Sequence, residues 1–401
     1  MPRLHVCSAS YANDIGVPYI LMSKAPGTKL SAYNWPWFSL ESSSRGPSPL
    51  APLPEEGKFK VMHQLGIMAA QLSRLQFSKI GSLHEIGDNM YTIKECLSPS
   101  HTCYKRDTLP IDRGPFCEES AYYESLVSAH FMHARELPMG AHCFVAPLPV
   151  PDDYAKWEDY KASTSRWNDF MAVDNKPDHS SNRLDYCIAS QLAQGMIPSL
   201  PAPPVQRQPS RFPLRHFHLS LNNIFVDHDW NITCVIDWAF ASSVPAAELL
   251  APPGLPYPRI WPGQSLAATY RRGFEQHTGQ MQQWEGTETL WYFQRFLSMD
   301  SYQDYHYFDR LCSLATKNEE RPADTLRLFT NARENVDSEV LGRPRCGHVP
   351  ANSTGQNYFS NKSGTDREAV ARKLMVMMEL NHSFVADCRL WRWIREAIDG
   401  Q

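Results

Sequence analysis

Residues 214–238 read LRHFHLSLNNIFVDHDWNITCVIDW, and this stretch decides the fold. Two β-prone runs, Ile224–Val226 and Ile232–Ile236, flank a polar turn, Asp227-His228-Asp229-Trp230-Asn231. That pattern predicts a β-hairpin. Asn223 stands just before the first run and Asp237 just after the second, symmetric about Trp230. Antiparallel pairing with matched arms therefore sets the two side by side. A neutral oxygen and a carboxylate at adjacent strand ends suit Mg2+, which takes few protein ligands and fills its shell from water and phosphate. The plainer alternative is a hairpin capped by two polar residues, since Asn and Asp are common at strand ends and turns.

Just upstream lies His216-Phe217-His218-Leu219-Ser220-Leu221-Asn222-Asn223. Kinase-like folds carry H-x-D-x-x-x-x-N at this place, where the Asp orients the substrate hydroxyl and the Asn takes a metal. Spacing and endpoints match, but His218 occupies the Asp position. The stretch 213–245 resembles the catalytic loop and metal hairpin of the aminoglycoside phosphotransferase and choline kinase superfamily, and in particular its fungal-type phosphotransferase proteins. Pro18–Leu30 resembles the strand and hinge between that family's two lobes. Ile80–Leu83, Lys94–Pro99, Arg113–Ser120, Trp167–Val173 and Asn182–Ile188 resemble the same group. The resemblance implies an α/β (α+β), protein-kinase-like fold with a mainly helical C-terminal lobe and a vestige of the N-terminal sheet at 1–23. It implies that His216 orients the loop, that Asn223 and Asp237 hold Mg2+, and that Met22, Ser23 and Lys24 approach the adenine of ATP. The substrate would be a small hydroxyl-bearing compound.

The chain departs from that family in two places. His218 supplies no fixed negative charge beside a metal, although an imidazole nitrogen can accept a proton. Asp227 and Asp229 sit at the far end of the hairpin and are poor substitutes. Only 17 residues precede Pro18, with one glycine and no lysine before Lys24, so the expectation is that the phosphate-covering loop and its lysine are missing. The reading is then of an impaired phosphotransferase with His218 and His216 in the catalytic loop. The alternatives are an inactive pseudokinase serving as a binding module, and a truncated gene model of an active kinase.

Outward from the hairpin, apolar spacing predicts a helix through Val61, Leu65, Met68, Ala69, Leu72 and Leu75. A short hairpin follows at 83–86 and 90–95. Further helices are predicted at 118–136, 183–196, 264–278, 283–299 and 305–316, and a last one over 366–398. Residues 42–57, 145–153 and 199–212 are proline-rich and read as loop or extended chain. Residues 24–30 read as a hinge, 31–329 as the large lobe, and 330–365 as a polar linker. The first strands, Leu4–Cys7 and Tyr19–Met22, would expose an apolar edge, a hazard for self-association.

Charge is nearly balanced, 39 basic against 43 acidic residues, which argues against a nucleic-acid partner. No run of 18 apolar residues calls for a membrane span, and Met1–Pro18 lacks the pattern of a signal peptide. None of the ten cysteines forms a CxxC pair, so neither zinc ribbon nor redox motif is indicated, and a reducing cytoplasmic setting fits. His130 and His133, at i and i+3, read as a packed pair rather than as ligands.

Overall fold

The computed structural model describes residues 2–35, 51–87, 90–139, 144, 180–201, 211–255, 261–279, 284–299, 304–316 and 325–335, with isolated positions between 371 and 395. In chain order the strands are β1 (Leu4–Ser8), β2 (Tyr19–Met22), β3 (Thr28–Lys29), β4 (Tyr33–Asn34), β5 (Ala51–Pro52), β6 (Gln76–Phe77), β7 (Gly81–Gly87), β8 (Met90–Lys94), β9 (Phe212–Arg215), β10 (Ile224–Val226), β11 (Ile232–Val235) and β12 (Ser242–Ser243). The helices are α1 (Glu55–Leu72), α2 (Pro99–Thr102), α3 (Glu119–Glu136), α4 (Ser180–Met196), α5 (Ala246–Leu250), α6 (Gln264–Thr278), α7 (Thr287–Ser298), α8 (Asp304–Ala315) and α9 (Thr325–Asn335). The class is α+β. The chain divides into one unit of residues 1–99, 113–119 and 201–291, and a second of 100–112, 120–200 and 292–401.

The first unit holds all the described strands. They form sheets of order β11-β10-β3 and β6-β9-β12-β7-β8, and two-stranded pairs β1-β2 and β4-β5. Its core gathers Val61, Leu65 and Ala69 of α1, Tyr270 and Phe274 of α6, and Ile224 and Val226 of β10. Helix α1 starts after Pro54 with Glu55 and Glu56 in its first turn, where carboxylates favour the helix dipole. It ends at Leu72, so Leu75, expected on the buried face, lies beyond the helix and is 49% exposed. Helices α1 and α6 meet through glycines. A Cβ on Gly66 would fall 2.0 Å from the Tyr270 carbonyl, and one on Gly273 2.1 Å from the His63 carbonyl. Backbones this close leave no space for a methyl group.

Strands β1 and β2 pair with each other, and Thr28–Lys29 then joins the edge of β10. None of residues 2–29 is buried. Leu4 and Val6 on β1 and Ile20, Leu21 and Met22 on β2 are all exposed, so the apolar surface expected here is present.

The described residues of the second unit are mainly helical. Phe144 sits among the rings of Tyr186, Phe308 and Phe329 at centroid distances of 5.1, 5.5 and 5.2 Å, a spacing at which aromatic pairs attract. His130 bonds Ser190 Oγ through Nδ1 at 2.7 Å, and His133 Nδ1 accepts from Arg106 Nε at 3.1 Å. Both are buried and packed. Helix α9 runs to Asn335, past the start of the stretch read as linker. Residues 145–153, 167–173 and 336–365 lie outside the described residues, and the described positions of 366–398 are all helical. Among the described residues no helix is long and apolar enough to cross a membrane.

Candidate functional site

The hairpin is closed by its turn. Asp227 Oδ1 accepts from the backbone N–H groups of Asp229 and Asn231, both at 2.9 Å, and Oδ2 accepts from Asn231 Nδ2 at 2.9 Å. These donors, the Asn231 amide foremost, hold the Asp227 carboxyl below its usual range. Trp230 takes the left-handed conformation, φ 64°, and its ring meets Tyr33 edge-on at 4.8 Å.

The pairing is not symmetric. Ile224 faces Val235 and Phe225 faces Cys234, but Val226 faces Ile232, so a bulge shifts the register by one. The turn bond from the Asp227 N–H to the Asn231 carbonyl centres the hairpin on Asp229 rather than Trp230, and the bulge recovers only part of that offset. Asn223 therefore receives the Ile236 N–H on its carbonyl at 3.0 Å and stands opposite Ile236, not Asp237 as matched arms predict. Adjacency of the two side chains is restored at Asp237 itself. Its backbone turns left-handed, φ 61°, and Asn223 Nδ2 lies 3.4 Å from Asp237 Oδ2.

His216 ties the loop to the second strand. Its Nε2–H donates to the Ile236 carbonyl at 3.1 Å, and its Nδ1 accepts the His218 N–H at 3.1 Å. Both bonds together require one neutral tautomer. Burial agrees, pushing the His216 pKa below its ordinary 6.5. The ring also meets Trp238 edge-on at 4.5 Å. Asn223 is buried and donates from Nδ2 to the His218 carbonyl at 2.8 Å. The backbone of His218 is thus held from both sides, while its side chain is 50% exposed. That side chain lies on Asp237: Nδ1 to Oδ2 is 2.8 Å.

His216, His218, Asn223 and Asp237 are therefore one constellation. Met22 ends β2, and Ser23 and Lys24 follow it in the first unit. Ser23 N donates to the Arg3 carbonyl at 2.9 Å, and its Oγ accepts the Arg3 N–H at 2.8 Å. No hydrogen bond or ion pair among the described residues joins this trio to the constellation.

For Mg2+ the donor set is small but of the right kind. Asn223 Oδ1 and Asp237 Oδ1 accept no hydrogen bond among the described residues, which leaves one neutral and one anionic oxygen for an ion that keeps most of its waters. Among the described residues no three His, Cys, Asp or Glu side chains form a metal centre, so this pair with His218 beside it is the extent of the site.

Sequence reasoning missed the group behind the loop. Arg215, the residue before His216, forms an ion pair with Glu248 of α5, and its guanidinium lies 4.9 Å over the Phe217 ring. Glu119 is close enough to feel Glu248: burial first, then that charge, pushes its carboxyl up to about 7. The only sequence signal was an arginine beside the loop. Its partner lies 33 residues later in a short helix with no motif. No family model, no curated protein and no solved structure matches this chain.

Proposed function

We propose that this chain is an impaired phosphotransferase of the aminoglycoside-phosphotransferase-like, protein-kinase-like fold, built to place a divalent cation and ATP against a small-molecule hydroxyl. The observation that carries the reading is the approach of Asn223 and Asp237 at one end of the hairpin, with His216 pinning the loop that leads into it. Bound there, Mg2+ would neutralise charge on the phosphates. Asn223 would offer Oδ1 and Asp237 its Oδ1 oxygen.

His218 stands where a carboxylate normally orients the hydroxyl. With Nδ1–H donated to Asp237, the lone pair is on Nε2, the atom able to take the substrate proton. It brings no negative charge, so the step is weakened. The hold of His218 on Asp237 also favours a second reading, a pseudokinase that keeps the fold and binds without transfer, because the ring competes with a cation for that carboxylate.

Calorimetric titration with ATP, with and without Mg2+, tests the proposal. Saturable, Mg2+-dependent binding that is lost in Asp237→Asn supports it, and His218→Asp should then raise turnover in a screen of hydroxyl substrates. Absence of binding at millimolar nucleotide would end it and leave the binding module.

A further inference from the structure

The contact that weakens the Mg2+ reading has a chemistry of its own. His218 Nδ1 and Asp237 Oδ2 are 2.8 Å apart, a spacing compatible with two neighbouring ligands on an ion bound at about 2.1 Å. Asn223, whose amide reaches the same Oδ2 at 3.4 Å, adds a neutral oxygen at Oδ1. The backbone is prepared for this. His218 is fixed at its N–H by His216 and at its carbonyl by Asn223, and the left-handed turn at Asp237 returns the carboxylate towards both. The His218 ring and the Asp237 carboxylate, both partly exposed, keep room to adjust.

We propose that His218, Asp237 and Asn223 form a mixed nitrogen–oxygen site for a first-row divalent cation of the Co2+, Ni2+ or Zn2+ class in preference to Mg2+. The inference rests on the reading of Asn223 and Asp237 as a ligand pair, and it changes which ion that pair serves. An imidazole nitrogen adds little for Mg2+, which prefers oxygen and its own waters, and adds much for the later first-row ions. The ion takes the place of the Nδ1 proton, which is released to solvent as the metal binds.

The same chain contains a contrasting pair. His228 and Asp229 are also close, 3.2 Å, but both are largely exposed, at 89% and 65%. They sit on the hairpin turn, where the neighbouring Asp227 has both oxygens engaged within the turn. Among the described residues no third side-chain donor joins that pair, so His228 serves as the control.

The test uses the full chain, stripped with chelator and titrated with Co2+ in the absence of nucleotide. Visible absorption reports the ligand field, and calorimetry with Zn2+ and Mg2+ ranks the ions. The expected result is one equivalent of Co2+ bound more tightly than Mg2+, weakened at least about tenfold in His218→Ala and in Asp237→Asn and unchanged in His228→Ala. His218→Asp should reverse the order in favour of Mg2+, and melting curves of each variant confirm that it is folded. Co2+ affinity unchanged in His218→Ala, no preference over Mg2+, no saturable binding, or thiolate charge-transfer bands from any of the ten cysteines would each overturn the proposal. Nucleotide added last separates the two readings. Co2+ held by these residues with no ATP binding keeps the metal site and removes the phosphotransferase. Mg2+-dependent ATP binding indifferent to His218 does the reverse.

Discussion

Glu119 and His216 respond to pH in opposite ways because burial acts on opposite charge types. Glu119 is ordinarily an acid of pKa 4.5, and burial together with Glu248 raises it to about 7. Below pH 4.5 it is neutral folded or unfolded, and the folded state has its full stability. As pH rises the unfolded chain ionises first, so stability is lost progressively and the loss is complete once pH passes about 7. Glu119→Gln should therefore flatten the stability profile between pH 4.5 and 7. It should also stabilise the chain above pH 7 by about 1–2 kcal/mol, solvent screening of this half-buried group having been discounted. Denaturant melts across that range check it, and an unaltered slope would refute it. His216 runs the other way: its lowered pKa gives stability that is present above 6.5 and lost on acidification. At this scale Asn223, Asp237 and His216 were legible, because their spacing along a hairpin limits where they lie. The His218–Asp237 contact was not, since it depends on a positive φ at an aspartate that no sequence pattern encodes.

The hairpin and the α1–α6 pair differ in how far local sequence determines them. Strand runs and turn residues announced β10 and β11, but not the one-residue bulge between Phe225 and Val226, which alternation of side chains does not reveal. Helices α1 and α6 followed from apolar spacing. Their contact did not, because within a helix a glycine such as Gly66 or Gly273 is by itself unfavourable by about 1 kcal/mol and carries no sign of a partner. In the fold each is the notch that admits the other backbone. Gly66→Ala and Gly273→Ala should each destabilise by about 2–3 kcal/mol despite better helix propensity. The double variant should cost less than the sum, since both relieve one contact. Chemical denaturation measures this, and a neutral or stabilising Gly66→Ala would mean that the helices can part.

For the molecule as a whole, the mixture of strands and helices was legible, and the exposed start of the chain was anticipated. The division of the chain into two units was not, because each is assembled from three separate stretches of sequence. The apolar β1–β2 ribbon sets an expectation for solution behaviour. The chain should self-associate with concentration, and Leu21→Lys with Ile20→Lys should shift sedimentation towards the monomer. A wild-type chain that sediments as a single monomeric species at high concentration would contradict this.

That ribbon also bears on what a melting temperature means here. Residues 2–29 place nothing in the core, and two strands alone are marginal in water. The ribbon's opening is therefore energetically separable from the cooperative loss of α1, α6 and the β10–β11 hairpin. A single sharp transition would report on those elements and stay silent about whether the segment from Met22 to Lys24 had been ordered beforehand.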